Sequence, residues 1–167
     1  MGRYIAALLL ILAALAQNTF LPQIRIRGGM PDLVFLFVLA WAIRSSFRDG
    51  LIIAFIGGIT LDLVTVSPTG ATPLAFTIIL YAVELVRGQV FKIGFFSILL
   101  LVIGGTLFIK VMHILIMLFS GFRIAPLEML TYTIIPTIAY NLVLIWPILW
   151  LTKQLQSANY RSELTER

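Results

Sequence analysis

The chain has 167 residues, of which 60% are hydrophobic and 11% charged, with a mean hydropathy of +1.06. A water-soluble domain of this length is about half apolar and about a quarter charged, so this much apolar surface cannot be hidden in a soluble core and lipid must be its solvent. The net charge of +5 rests on scattered loop residues, which excludes nucleic acid as a partner, and the absence of cysteine excludes disulfides, thiolate nucleophiles and cysteine metal sites.

At roughly 20 residues per crossing the length suits one domain of six helices with short loops. The first helix is expected from about Tyr4 to Gln17. Arg3, the apolar run and Ala14-Leu15-Ala16 also imitate a signal peptide, but the run is read as an uncleaved anchor. Asn18, Pro22, Gly28 and Gly29 break the periodicity of the following loop, in which Ile24-Arg25-Ile26-Arg27 alternates as a short extended or interfacial piece would. The second helix opens at Pro31-Asp32, with proline in the first turn and Asp32 against the positive end of the helix dipole, and runs to about Phe47. A tight Arg48-Asp49-Gly50 turn leads to a third helix ending near Val66, and Ser67-Pro68-Thr69-Gly70 forms the next turn.

The fourth helix is expected from Ala71 to Arg87, followed by a polar link to Gly94 that contains Lys92. The fifth spans Phe95–Phe119, and Gly121, Arg123 and Pro126 mark the turn to a sixth helix over Leu127–Leu151, kinked at Pro136 and Pro147. This gives a transmembrane domain over residues 1–152 and a polar cytoplasmic tail over 153–167, expected to fray. With both termini inside, the inner loops and ends hold Arg3, Arg44, Arg48, Arg87, Lys92, Lys153, Arg161 and Arg167, and the outer loops hold Arg25, Arg27 and Arg123. Positive charge collects on the cytoplasmic side of membrane proteins, so both ends are assigned to the cytoplasm.

Charges inside the spans carry the most information, because each costs about 2.5–3.5 kcal/mol at the bilayer centre. Four such residues stand out: Asp62, Glu84, Lys110 and His113. Asp62 and Lys110 would pair if the third and fifth helices touch; otherwise Asp62 bonds backbone amides or water at its helix end while Lys110 snorkels. Lys110 and His113 share a helix face, but one histidine without a chain of acids argues for a satisfied structural group over a proton relay. Glu84 lies three residues before Arg87, the spacing of a helix pair, with a substrate or ion ligand as the lesser reading.

Small residues recur at Gly50, Ala54 and Gly58, with Gly57 beside them, and again at Gly104 and Gly105; such positions let membrane helices approach closely. The first group is read as internal packing, and the second as packing or an offer to a partner helix. Thr133, Thr137, Tyr140 and Asn141 lie on one stripe of the sixth helix and face a neighbour, a cavity or a partner. A phosphate loop, an H-E-x-x-H pair and a G-x-S-x-G elbow are all missing, and one histidine without cysteine argues against zinc. A Ser–His pair drawing on Ser97 or Ser120 with His113 is disfavoured. Neither an enzymatic activity nor a cofactor is expected.

The stretch Met30 to Gly70 resembles the rod shape-determining protein MreD family. Its signature is Pro31-Asp32-Leu33 at the head of the second helix, then Gly58-Ile59-Thr60-Leu61-Asp62-Leu63 and Ser67-Pro68-Thr69-Gly70; Gln17, the length and the six spans are also family-like. The matching positions are Pro31, Asp32, Gly58, Asp62 and Gly70, whereas Lys110, His113 and the polar stripe with Asn141 have no counterpart. The resemblance implies an all-α, polytopic six-transmembrane-helix bundle similar to the substrate-binding subunit of energy-coupling-factor transporters. It also implies a non-catalytic scaffold of the rod complex in the bacterial inner membrane, with MreC as direct partner and RodA, a class B penicillin-binding protein and MreB in the wider assembly, all serving lateral peptidoglycan synthesis. The alternative is a substrate-binding membrane subunit of a vitamin-type transporter.

Overall fold

The structure is a computed structural model that describes residues 2–25, 28–65, 70–89, 93–119 and 133–165. Its regular elements among these residues are all helices: α1 (Gly2–Thr19), a 3-10 turn (Leu21–Ile24), α2 (Leu33–Arg44), α3 (Phe47–Val64), α4 (Ala71–Gln89), α5 (Phe95–Phe119) and α6 (Ile135–Thr165). Ile26, Arg27, the Ser67-Pro68-Thr69 part of the third turn, Lys92, Ser120 and the Gly121–Pro126 turn lie outside the described residues.

Three boundaries differ from the sequence reading, each for a local reason. Helix α2 starts at Leu33 with Asp32 as its N-cap, so Pro31 stands outside the first turn. The same helix stops at Arg44, and Ser46 caps α3 by accepting from the Asp49 amide at 3.3 Å. The segment Arg48-Asp49-Gly50, expected as a turn, is therefore the first turn of α3; serine at the cap and Asp49 near the positive helix end outweigh the turn composition. At the other end, α6 runs past Leu151 to Thr165 instead of fraying from Lys153. No glycine or proline interrupts Thr152–Ser157, Thr152 is buried, and Leu155 packs on the core. Pro136 is the second residue of α6, after a π turn at Thr133–Ile134, and only Pro147 lies in its interior.

Helix α2 is the hub. It packs against α1, α3, α4 and α6, while α3 packs on α1 and α4, and α5 lies against α4 and α6. Nine of its twelve residues, Val34 through Ala42, are buried. A helix apolar on every side is stable only when wrapped by others, and α2 has that sleeve. Phe35 meets Phe76 of α4 with ring centroids 6.4 Å apart, and Phe37 stacks on Trp41 at 6.1 Å.

The outward faces are apolar as well. Leu74, Ile78, Tyr81 and Leu85 form an exposed stripe on α4, and Phe96, Leu100, Ile103, Leu107, Val111 and Leu115 form one on α5. Among the described residues, four segments are long and apolar enough to cross a bilayer: Ile5–Gln23, Ala71–Gly88, Phe95–Ile116 and Ile135–Ser157. The 18-residue α3 carries Arg48, Asp49 and Asp62. Helix α2, at twelve residues, spans about 18 Å at about 1.5 Å per residue, short of the roughly 30 Å hydrocarbon core.

Candidate functional site

A buried helix shorter than the bilayer is thick presents a chemical problem at both ends. Its first amides and last carbonyls have no intrahelical partner, and without water at hand they must be satisfied by protein. Many of the polar residues inside this bundle gather at those two ends, and a further group gathers around Asp62.

At the start of α2, Asp32 Oδ1 accepts from the Phe35 amide at 3.2 Å, an N-cap bond, and from Gln17 Nε2 of α1 at 3.2 Å. Gln17 Oε1 accepts from the Val34 amide at 3.1 Å. The Asp32 amide donates to Asn141 Oδ1 of α6 at 3.0 Å. Asn141 Nδ2 donates to Thr106 Oγ1 of α5 at 3.0 Å, and the Thr106 hydroxyl donates to the Val102 carbonyl at 2.7 Å. One chain of hydrogen bonds thus ties α1, α2, α5 and α6, and each of its side chains is buried. Such a network fixes a single arrangement because every member depends on the next.

At the far end of α2, Arg87 of α4 donates Nη2 to the Ala42 carbonyl and Nη1 to Glu84 Oε2, the latter at 2.8 Å. Gln156 Nε2 of α6 donates to the Trp41 carbonyl at 3.4 Å. The guanidinium sits where the helix dipole favours a cation. Glu84, half exposed, pairs with Arg87 three residues on and holds it in place.

Asp62 forms a third node. Its Oδ2 accepts from the Gly70 amide at 2.7 Å and the Thr72 amide at 3.4 Å, so an aspartate near the end of α3 caps the start of α4. Among the described residues no ion pair joins Asp62 to Lys110; of the two sequence readings, the structure takes the backbone amides. Gly70 has φ +105°, a left-handed conformation that suits glycine, and it turns the chain so that its amide reaches the carboxylate. Gly58 lies one turn earlier on α3, where a Cβ would stand 2.6 Å from Pro73 Cα and N. The close approach of α3 and α4 therefore needs glycine there.

The small residues of α5 divide. A Cβ on Gly105 would meet the Phe35 ring at 2.6 Å, whereas Gly104 has nothing within 4 Å. Gly105 serves internal packing and Gly104 faces outward. On α6, Thr137 and Asn141 are buried, and the Thr137 hydroxyl bonds the Thr133 carbonyl at 2.7 Å. Lys110 and His113 lie one turn apart on α5, both half-buried, with His113 beside a small cavity against α4.

The sequence reading brought out Asp32 and Asn141 without their partners, Glu84 with Arg87, and Asp62 with either Lys110 or backbone amides. It missed Thr106, Thr72 and Gln156, all uncharged. A polar side chain in an otherwise apolar run, such as Thr106 in Leu100–Ile109, is the signal that could have found the first.

Residues 1–157 of the chain match the family model described as MreD, rod shape-determining protein MreD. No curated protein and no solved structure matches it.

Proposed function

Because the chain belongs to the family of rod shape-determining protein MreD, we propose that it is a non-catalytic scaffold subunit of the bacterial cell-elongation complex. The family carries a role in rod-shape determination, and the long apolar helices fit a multi-pass inner-membrane protein. In our reading the chain crosses the bilayer six times, with α2 and α3 completing the four longer spans and both termini in the cytoplasm. It binds MreC directly through its membrane helices, and it supports lateral peptidoglycan synthesis alongside RodA, a class B penicillin-binding protein and MreB.

The observation that carries this reading is the extent of the family match, which takes in every helix from α1 into α6. The chemistry of the interior supports it. Gln17, Asp32, Thr106 and Asn141 satisfy one another and the start of α2, which is structural employment for polar groups. A vitamin-capturing transporter subunit would instead aim such groups into a ligand-sized pocket.

The test is coexpression of the full chain with an MreC-type partner, followed by purification in mild detergent and size-exclusion chromatography. Co-elution is the expected result. Two separate, monodisperse peaks would overturn the scaffold assignment.

A further inference from the structure

Asp62 Oδ1 and Thr72 Oγ1 are buried and have no hydrogen-bond partner among the described residues. Their residues are 3% and 2% exposed. Both belong to the node in which Asp62 caps α4, yet the capping bonds engage only Oδ2 and the two amides. Buried hydroxyls and carboxylate oxygens are nearly always paired, with protein or with ordered water.

Beside Thr72 lies a cavity of about 10 Å³ between α4 and α5. That is about the room one water needs. Its walls include Ala75, Ile109, Met112 and Ile116, and Thr72 and His113 bring its side-chain polar groups. A neutral imidazole carries its proton on one ring nitrogen and leaves the second as a hydrogen-bond acceptor.

We propose that this cavity is a hydration site in which one water molecule bridges Thr72 Oγ1 and the second ring nitrogen of His113. The water donates to the ring nitrogen and accepts a hydrogen bond from the Thr72 hydroxyl. The start of α4 and α5 are then joined through water close to Asp62, which one of the two sequence readings paired directly with Lys110.

His113 is the chain's single histidine, so ¹⁵N-histidine labelling gives the ring signals of one imidazole. The experiment is water-edited solid-state NMR on the full chain in lipid bilayers, comparing the native protein with Thr72→Val and Thr72→Ser. Magnetisation is expected to pass from water to the native His113 ring, to fall several-fold in Thr72→Val, and to persist in Thr72→Ser, which keeps the hydroxyl. Absent transfer in the native protein would overturn the proposal, as would undiminished transfer in Thr72→Val. Should Thr72→Val fail to fold, Thr72→Ser decides with the native protein: loss of transfer in that variant removes the hydroxyl as the water's anchor.

Discussion

The Asp32 amide and the Asn141 side chain, 109 positions apart, are joined by a buried hydrogen bond of 3.0 Å that ties the start of α2 to α6. Through Thr106 the same asparagine reaches α5.

Replacing Asn141 by leucine keeps the γ-branched shape, removes both bonds and leaves the Asp32 amide buried without its partner. Side-chain bonds between membrane helices average about 0.6 kcal/mol with a maximum near 1.7, while an orphaned buried donor costs about 1–3 kcal/mol. Asn141→Leu is therefore expected to destabilise by about 1–2 kcal/mol, read as a lower unfolding midpoint in detergent. Thr106→Val, which removes only the outer member, is expected to cost less. Equal midpoints for Asn141→Leu and the native protein would show that the bond contributes nothing.

Gly58→Ala and Gly104→Ala form a matched pair. Both gain up to about 1 kcal/mol of helix propensity. At Gly58 the new methyl meets the Pro73 backbone at 2.6 Å, which cannot swing aside as a side chain would, and overpacking of this kind costs about 1–3 kcal/mol. At Gly104 it meets nothing within 4 Å. Thermal unfolding should fall for Gly58→Ala and hold or rise for Gly104→Ala. The reverse order would refute the α3–α4 contact.

Asp62→Ala strips the acceptor from the Gly70 and Thr72 amides, whereas Asp62→Asn retains a carbonyl oxygen for one of them. The expected order of stability is native, then Asn, then Ala, with Ala lower by about 1–3 kcal/mol. Proteolysis or hydrogen exchange at the Asp62–Thr72 turn should report the same order. An Ala variant with native protection there would place the carboxylate outside the cap.

Because the chain has no cysteine, single cysteines can map its orientation without background. Positions Arg3 and Lys153 are expected to resist membrane-impermeant reagents added to intact cells or spheroplasts, and Arg25 to react. Labelling of Arg3 and Lys153 positions from opposite sides would refute an even number of crossings.

Much of this architecture could be read along the chain, because hydropathy runs and caps are local. The ranges of α4 and α5 and the Glu84–Arg87 pair follow from spacing alone. What could not be read is which helices touch. Nothing near Asp32 in sequence names Asn141, and nothing near Gly105 names Phe35, since those contacts are made by tertiary packing. Between Lys110 and backbone amides as partners of Asp62 the sequence left the choice open; the amides at the start of the neighbouring helix, only eight and ten positions away, decide it. The α2–α3 boundary was misplaced because Arg-Asp-Gly suits a turn by composition, while the Ser46 cap decides where the helix begins.

The sleeve around α2 bears on how the chain enters the membrane. A twelve-residue segment that faces other helices throughout is too short to be retained in lipid on its own merit. Only the two residues Ser45 and Ser46 separate it from α3. In the six-crossing topology proposed above, α2 therefore depends on its neighbours to stay in the bilayer and would enter with α3 as the two arms of one hairpin. A defect in α1, which packs on both, would then show itself first as failed insertion of α2.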